Sequence, residues 1–145
     1  MMHDSPLDRD AVAALMQEHG ITPTPQRLEI AQILFARPQH LSAEQVLSRV
    51  NEGRVHVSKA TVYNTLGLFA REGLVREVIV DPAKVFYDPT TVPHHHFYNL
   101  DTGILTDIEA DAVELKRLPE LPRGTAAVGV DVIIRVRGRI GAKEK

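Results

Sequence analysis

The feature that most constrains this chain is a change of hydrophobic period near residue 74. Upstream, apolar residues recur at helical spacing in short runs, each with its own start signal. Ser5-Pro6 reads as an N-cap and a first-turn proline, Ala11 to Gln17 is helix-forming, and Gly20 is a natural stop. Thr24-Pro25 repeats the start, after which Leu28, Ala31, Leu34 and Phe35 share one face until Pro38. Ser42-Ala43-Glu44-Gln45 is a capping box opening a third helix with Val46, Leu47 and Val50 as its apolar residues. Ser58 caps a fourth helix, Val62, Leu66 and Phe69 cluster on its inner face, and Gly73 ends it. Downstream the period becomes two: Val75, Glu77 and Ile79 alternate with Arg76, Val78 and Val80, Asp81-Pro82-Ala83-Lys84 is a turn, and Val85 to Tyr87 returns. Helices followed by a hairpin is the order of a winged helix-turn-helix.

Asp88 to Pro93, with prolines at both ends of two threonines, reads as a hinge. A second unit follows, with a hairpin of His96 to Leu100 and Ile104 to Asp107 around Asp101-Thr102-Gly103. A short helix is expected over Ile108 to Lys116 and a β-prone run over Val128 to Val136. The expected fold class is α+β: a winged helix-turn-helix over residues 1–87, a hinge at 88–93, and a small α/β domain at 94–145. A unit of about 50 residues buries little surface alone, so dimerisation through it is the natural remedy.

Composition narrows the chemistry. The 145 residues include no cysteine, which excludes disulfides and thiolate zinc sites. No apolar run approaches the roughly 18 residues of a membrane span, and the acidic N-terminus is unlike a signal peptide, so a cytoplasmic location is expected. Between Ile21 and Thr90, eight Lys/Arg stand against seven Asp/Glu, a balance of +1, so a nucleic-acid surface has to come from charge placement rather than charge total.

The fourth helix offers such a surface. Opposite Val62, Leu66 and Phe69 lie Ala60, Asn64, Gly67 and Arg71, flanked by Thr61 and Tyr63. Asn64 has the donor and acceptor pair for an adenine edge. Ser58, Lys59, Thr61 and Tyr63 have the reach for phosphates or thymine methyls near a positive helix end. Lys84 and Arg76 on the hairpin and Arg27 on the second helix are further backbone contacts. A solvated polar helix face is the plain alternative for any one of these residues.

A second constellation points to metal. In a strand, His94 and His96 share a face and His95 takes the other. Asp88 precedes them, Asp107 ends the paired strand, and His40 lies before the third helix. This nitrogen/oxygen set, His40, Asp88, His94, His96 and Asp107, suits Fe²⁺, Mn²⁺ or Zn²⁺ over Cu⁺. An ion held by ligands from both halves fixes their angle, and in a dimer that angle sets the spacing of two recognition helices on DNA. Adjacent exposed histidines also suit haem.

These residues resemble the ferric uptake regulator family over nearly the whole chain, from Ile21-Thr-Pro-Thr-Pro-Gln-Arg27 to Arg139. Leu41-Ser-Ala-Glu-Gln-Val46 is similar to its third helix, Ser58-Lys-Ala-Thr-Val-Tyr-Asn-Thr-Leu66 to its recognition helix, and His94-His-His96 to its histidine-rich segment. The resemblance implies a homodimeric repressor on a double-stranded DNA operator. Its regulatory ligands fall on His40, Asp88, His94, His96 and Asp107, and aspartates at 88 and 107 are similar to the peroxide-sensing branch. The family's Cys-x-x-Cys zinc pair would fall at Asn99 and Thr102, so no structural zinc held by four cysteines is expected. A second metal or haem site is only partly represented, by His95 and Glu114. The cysteine-free C-terminal half, His94-His-His-Phe-Tyr98 and Val130 to Arg137 most resemble the iron response regulator branch, which implies haem as an effector. The competing readings are a small His/Asp metallohydrolase, disfavoured because no general base or nucleophile stands out, and a metal-buffering protein that does not regulate DNA.

Overall fold

The computed structural model describes residues 7–139. In its first part, α1 spans Arg9–Glu18, α2 Pro25–Leu34, β1 Leu41–Ser42, α3 Ala43–Val50 and α4 Lys59–Arg71, followed by β2 Arg76–Asp81 and β3 Lys84–Asp88. Its second part holds β4 His95–Asn99, β5 Leu105–Ile108, a 3₁₀ turn at Ala110–Ala112 and β6 Ile133–Val136.

Local chemistry explains the helix limits. Asp8 caps α1, its carboxylate accepting the Ala11 N–H at 2.8 Å; the Ser5-Pro6 start expected from sequence lies outside the described residues. Thr24 caps α2 with Pro25 in the first turn. Ser42 and Gln45 form a reciprocal capping box on α3. α1 and α4 end on Gly20 and Gly73, both at positive φ, where a side chain would clash with the backbone. At each, the N–H two residues past the cap returns to the helix: Ile21 to the Met16 carbonyl and Leu74 to the Phe69 carbonyl, both at 2.9 Å.

The four helices enclose one apolar core, in which Val12, Met16, Ile30, Leu34, Val46, Val62, Leu66 and Phe69 are fully buried. Truncating Phe69 to alanine there costs about 3–5 kcal/mol. The sheet of this part runs β1-β3-β2, all antiparallel. Val78 and Val80 face inward from β2 while Glu77 and Ile79 face out, which fixes the register Glu77↔Tyr87 and Val78↔Phe86. Helices leading into a twisted hairpin make a winged helix-turn-helix.

The second sheet runs β5-β4-β6, with β4–β5 antiparallel and β4–β6 parallel. Tyr98, Leu105 and Ile108 supply its buried apolar residues. The helix expected over Ile108 to Lys116 is reduced to the Ala110–Ala112 turn, which has no side-chain cap. Leu115, the leucine of that segment, is 46% exposed, so a helix there has little apolar surface to pack on, and Pro119 and Pro122 stop its extension beyond Lys116. The β-prone run shortens to Ile133–Val136. The chain divides into two units between Val92 and Pro93, and Asp88 completes β3 rather than opening a loop.

Candidate metal centre and nucleic-acid interface

The fourth helix presents the polar face its sequence implied. Ser58 Oγ accepts the Thr61 N–H at 3.1 Å and donates to Thr61 Oγ1 at 2.9 Å, fixing the first turn. Lys59, Ala60, Tyr63, Asn64 and Arg71 are exposed, and Thr61 is half-buried. Lys59 Nζ lies 5.7 Å from the Tyr63 ring centroid, within cation–π reach. Lys84 is exposed at the start of β3. The Arg27 guanidinium donates to the Thr22 carbonyl at 2.9 Å, which holds it at the surface.

Three residues that sequence reasoning missed organise this face. The Tyr63 hydroxyl donates to the Glu44 carboxylate of α3. That bond, more than anything else, holds the Glu44 carboxyl below its ordinary range, with Lys59 and Lys84 adding to the effect. The same bond pushes the Tyr63 phenol up. Ahead of α4, Asn51 Oδ1 accepts the His56 and Val57 N–H groups, both at 2.9 Å, and its Nδ2 donates to the Val57 carbonyl at 2.9 Å. His56 is held through both ring nitrogens, Nδ1 2.9 Å from the Arg54 carbonyl and Nε2 2.7 Å from Glu29. The Arg54 carbonyl first and the Glu29 carboxylate second raise its pKa. The one signal available in sequence was Asn51 at a helix end, where its side chain suits turn closure.

Donor atoms for a metal gather in each unit. In the first, the β1–β3 register Leu41↔Tyr87, carried one residue further, sets His40 opposite Asp88, and His40 Nε2 lies 3.1 Å from Asp88 Oδ2. Asp88 is buried and also accepts the Thr90 N–H at 2.8 Å. In the second, β4 and β5 pair His96 with Asp107. Asp107 Oδ1 is 3.4 Å from Nε2 of both His94 and His96, whose rings stand 4.5 Å apart and nearly edge to face. His94, His96 and Asp107 thus each offer a ligand atom within 4.8 Å of the others. His94 and His96 are buried while Asp107 reaches solvent. Two imidazoles and a carboxylate around one point suit a borderline or hard divalent cation.

His95 and Glu114 do not join them. His95 points to the other side of β4, where its Nδ1 accepts the Val132 N–H at 3.0 Å. A neutral ring bonded that way carries its proton on Nε2 and has no free lone pair for a metal. Glu114 is exposed beyond the 3₁₀ turn, and neither residue belongs to a group of three or more ligand-type side chains among the described residues. At the hairpin tip, Asn99 Oδ1 accepts the Asp101 and Thr102 N–H groups at 2.8 and 3.1 Å, and Thr102 Oγ1 accepts the Ile104 N–H at 3.2 Å. Hydrogen bonds close this turn where a Cys-x-x-Cys pair would bring zinc.

A winged helix joined to a small sheet that carries a His/Asp donor set defines the class: a regulator that couples a metal ion to DNA. The sequence model of the Ferric uptake regulator family matches residues 18–132. The chain is 29% identical over 112 residues to the Peroxide-responsive repressor PerR of Staphylococcus aureus strain Mu50, covering 77% of this chain and 75% of that protein. It is similar to the Ferric uptake regulator from Pseudomonas aeruginosa solved with manganese, with a TM-score of 0.67 and 26% identity over 88% of this chain and 98% of that one. The Vibrio cholerae ferric uptake regulator shares the fold, with a TM-score of 0.66 and 21% identity over 87% and 98% of the two chains. This chain belongs to the Ferric uptake regulator family and is a metal-responsive DNA-binding transcription regulator, not an enzyme. Proteins of the family act as dimers. Among the described residues no helix is long and apolar enough to cross a membrane.

Proposed function

We propose that this protein is a cytoplasmic homodimeric repressor of iron, haem or oxidative-stress genes, most like the iron response regulator branch. In this reading one divalent ion, Fe²⁺, Mn²⁺ or Zn²⁺, is shared between His40 and Asp88 of the first unit and His94, His96 and Asp107 of the second. The carrying observation is that each unit brings ligand-type side chains together, His40 Nε2 3.1 Å from Asp88 Oδ2 in the first and His96 across from Asp107 in the second. Neither set alone fills a coordination shell. Six Cα steps from Asp88 to His94 span at most about 22 Å, so the short tether limits how far apart the two sets can lie. The solved relative from P. aeruginosa carries manganese, which matches an oxygen/nitrogen donor set.

A divalent cation held by these residues would supply the bonds that fix one unit's orientation against the other. The chain's own groups do the rest. The imidazoles would supply nitrogen lone pairs, the carboxylates would bring the charge that a dication requires, and the fixed orientation would set the separation of two α4 helices in the dimer. Arg27, Ser58, Lys59 and Lys84 then meet phosphates, while Thr61, Tyr63 and Asn64 meet base edges. Haem is suggested by the adjacent histidines and by the branch resemblance, and a Soret titration of the same protein tests it.

The test is fluorescence anisotropy on a duplex from the protein's own promoter, with metal-free, Mn²⁺-, Fe²⁺-, Zn²⁺- and haem-loaded protein. The expected result is steeply salt-dependent binding whose Kd shifts at least about tenfold with one effector. Asp107→Asn removes that shift and leaves metal-free binding as it was. DNA affinity indifferent to a bound ion overturns the reading in favour of metal buffering.

A further inference from the structure

A carboxylate on a surface that approaches phosphates lowers affinity by repulsion, so Glu44 on this face needs a compensating role. It lies in the first turn of α3, exposed, and receives the only proton of the Tyr63 hydroxyl. Lys59 stands over the same Tyr63 ring, and Lys59 and Lys84 both act on the Glu44 charge. A tyrosine whose hydroxyl proton is already donated has none to give a phosphate. Its ring, pinned at both the hydroxyl and the face, loses rotamer freedom before DNA arrives, so docking costs less ordering entropy, and a ring fixed in one place fits only those base edges that meet it there.

We infer that Glu44 is the positioning residue for DNA reading: it anchors Tyr63 so that the ring, rather than the hydroxyl, meets the base edges, and it gives up some affinity for sequence discrimination. Arg27, Ser58, Lys59 and Lys84 are left as the phosphate contacts. The inference rests on α4 being the DNA-reading helix.

The experiment uses full-length protein loaded with Mn²⁺ and two labelled duplexes of equal length, one selected by the parent protein from a random pool and one scrambled. A parent protein that selects no sequence refutes the DNA-reading function itself and so is distinct from failure of the Glu44 role. Glu44→Ala is expected to bind the scrambled duplex several-fold tighter and to lower the selected-to-scrambled ratio at least fivefold. Glu44→Gln keeps an acceptor for the hydroxyl and loses the charge; both affinities rise and the ratio stays within twofold of the parent. Tyr63→Phe lowers the ratio as Glu44→Ala does, and the double variant is no worse than either single one. The spectroscopic signature is the Tyr63 Cζ resonance in ¹³C-tyrosine protein, whose titration falls toward the ordinary phenol range in Glu44→Ala. The Ser42–Gln45 capping box is untouched by these changes, so α3 keeps its start. A ratio preserved in Glu44→Ala, or lost equally in Glu44→Gln, overturns the inference.

Discussion

Asn51→Ala removes three hydrogen bonds of 2.9 Å that tie the end of α3 to the residues entering the recognition helix. Two backbone N–H groups and one carbonyl lose their partner, and Val57 is 2% exposed, so water does not readily replace the bonds at that residue. At about 1 kcal/mol for each bond, and more for a group left buried, the expected loss is about 2–4 kcal/mol. That is a large share of the roughly 5–15 kcal/mol that stabilises a typical domain. At about 4–8 °C per kcal/mol for a unit of this size, the midpoint falls by at least about 8 °C. Urea denaturation followed by far-ultraviolet circular dichroism measures it. Asn51→Asp retains both acceptor bonds and should lose less than half as much. A loss under about 0.5 kcal/mol for alanine would refute the account of this turn, because the three bonds would then be worth no more than water.

Asn99→Ala opens the β4–β5 turn and should destabilise the second unit by about 1–2 kcal/mol, since two N–H groups lose their acceptor; amide exchange at Asp101 and Thr102 reports it directly. Chelator treatment should leave the circular dichroism spectrum unchanged, because that turn is closed by hydrogen bonds and not by zinc; a melted second unit after chelation would contradict this. His56 should titrate above 6.5 by NMR and return toward that value in Glu29→Gln. Because its folded pKa is raised, the His56–Glu29 contact stabilises fully below the unfolded pKa and is lost as pH rises through the folded value. Stability should therefore fall over that window in the parent and less so in Glu29→Gln.

Where local chemistry decides a feature, the sequence revealed it. Thr24-Pro25, the Ser42–Gln45 box, Ser58 and Gly73 start and stop helices through bonds within five residues, so their meaning does not depend on the rest of the fold. Strand alternation likewise separated His94 and His96 from His95. The helix expected at Ile108 to Lys116 failed because its pattern of apolar residues said nothing of what would cover them, and its one leucine, Leu115, stays exposed in this chain. Glu44 went unseen because it and Tyr63 are 19 residues apart and meet only through the packing of α3 on α4. The His56–Glu29 contact spans 27 residues and was hidden for the same reason.

The account turns on one ion answering to both units. Calorimetric titration of Mn²⁺ into the metal-free protein, its His40→Ala variant and its Asp107→Asn variant tests this most directly. The account predicts one equivalent per subunit in the parent and the loss of that same binding event in both variants, although one change lies in each unit. An undiminished equivalent in His40→Ala, with the loss confined to Asp107→Asn, would show a site built from the second unit alone and would leave the proposed coupling to DNA without its clip.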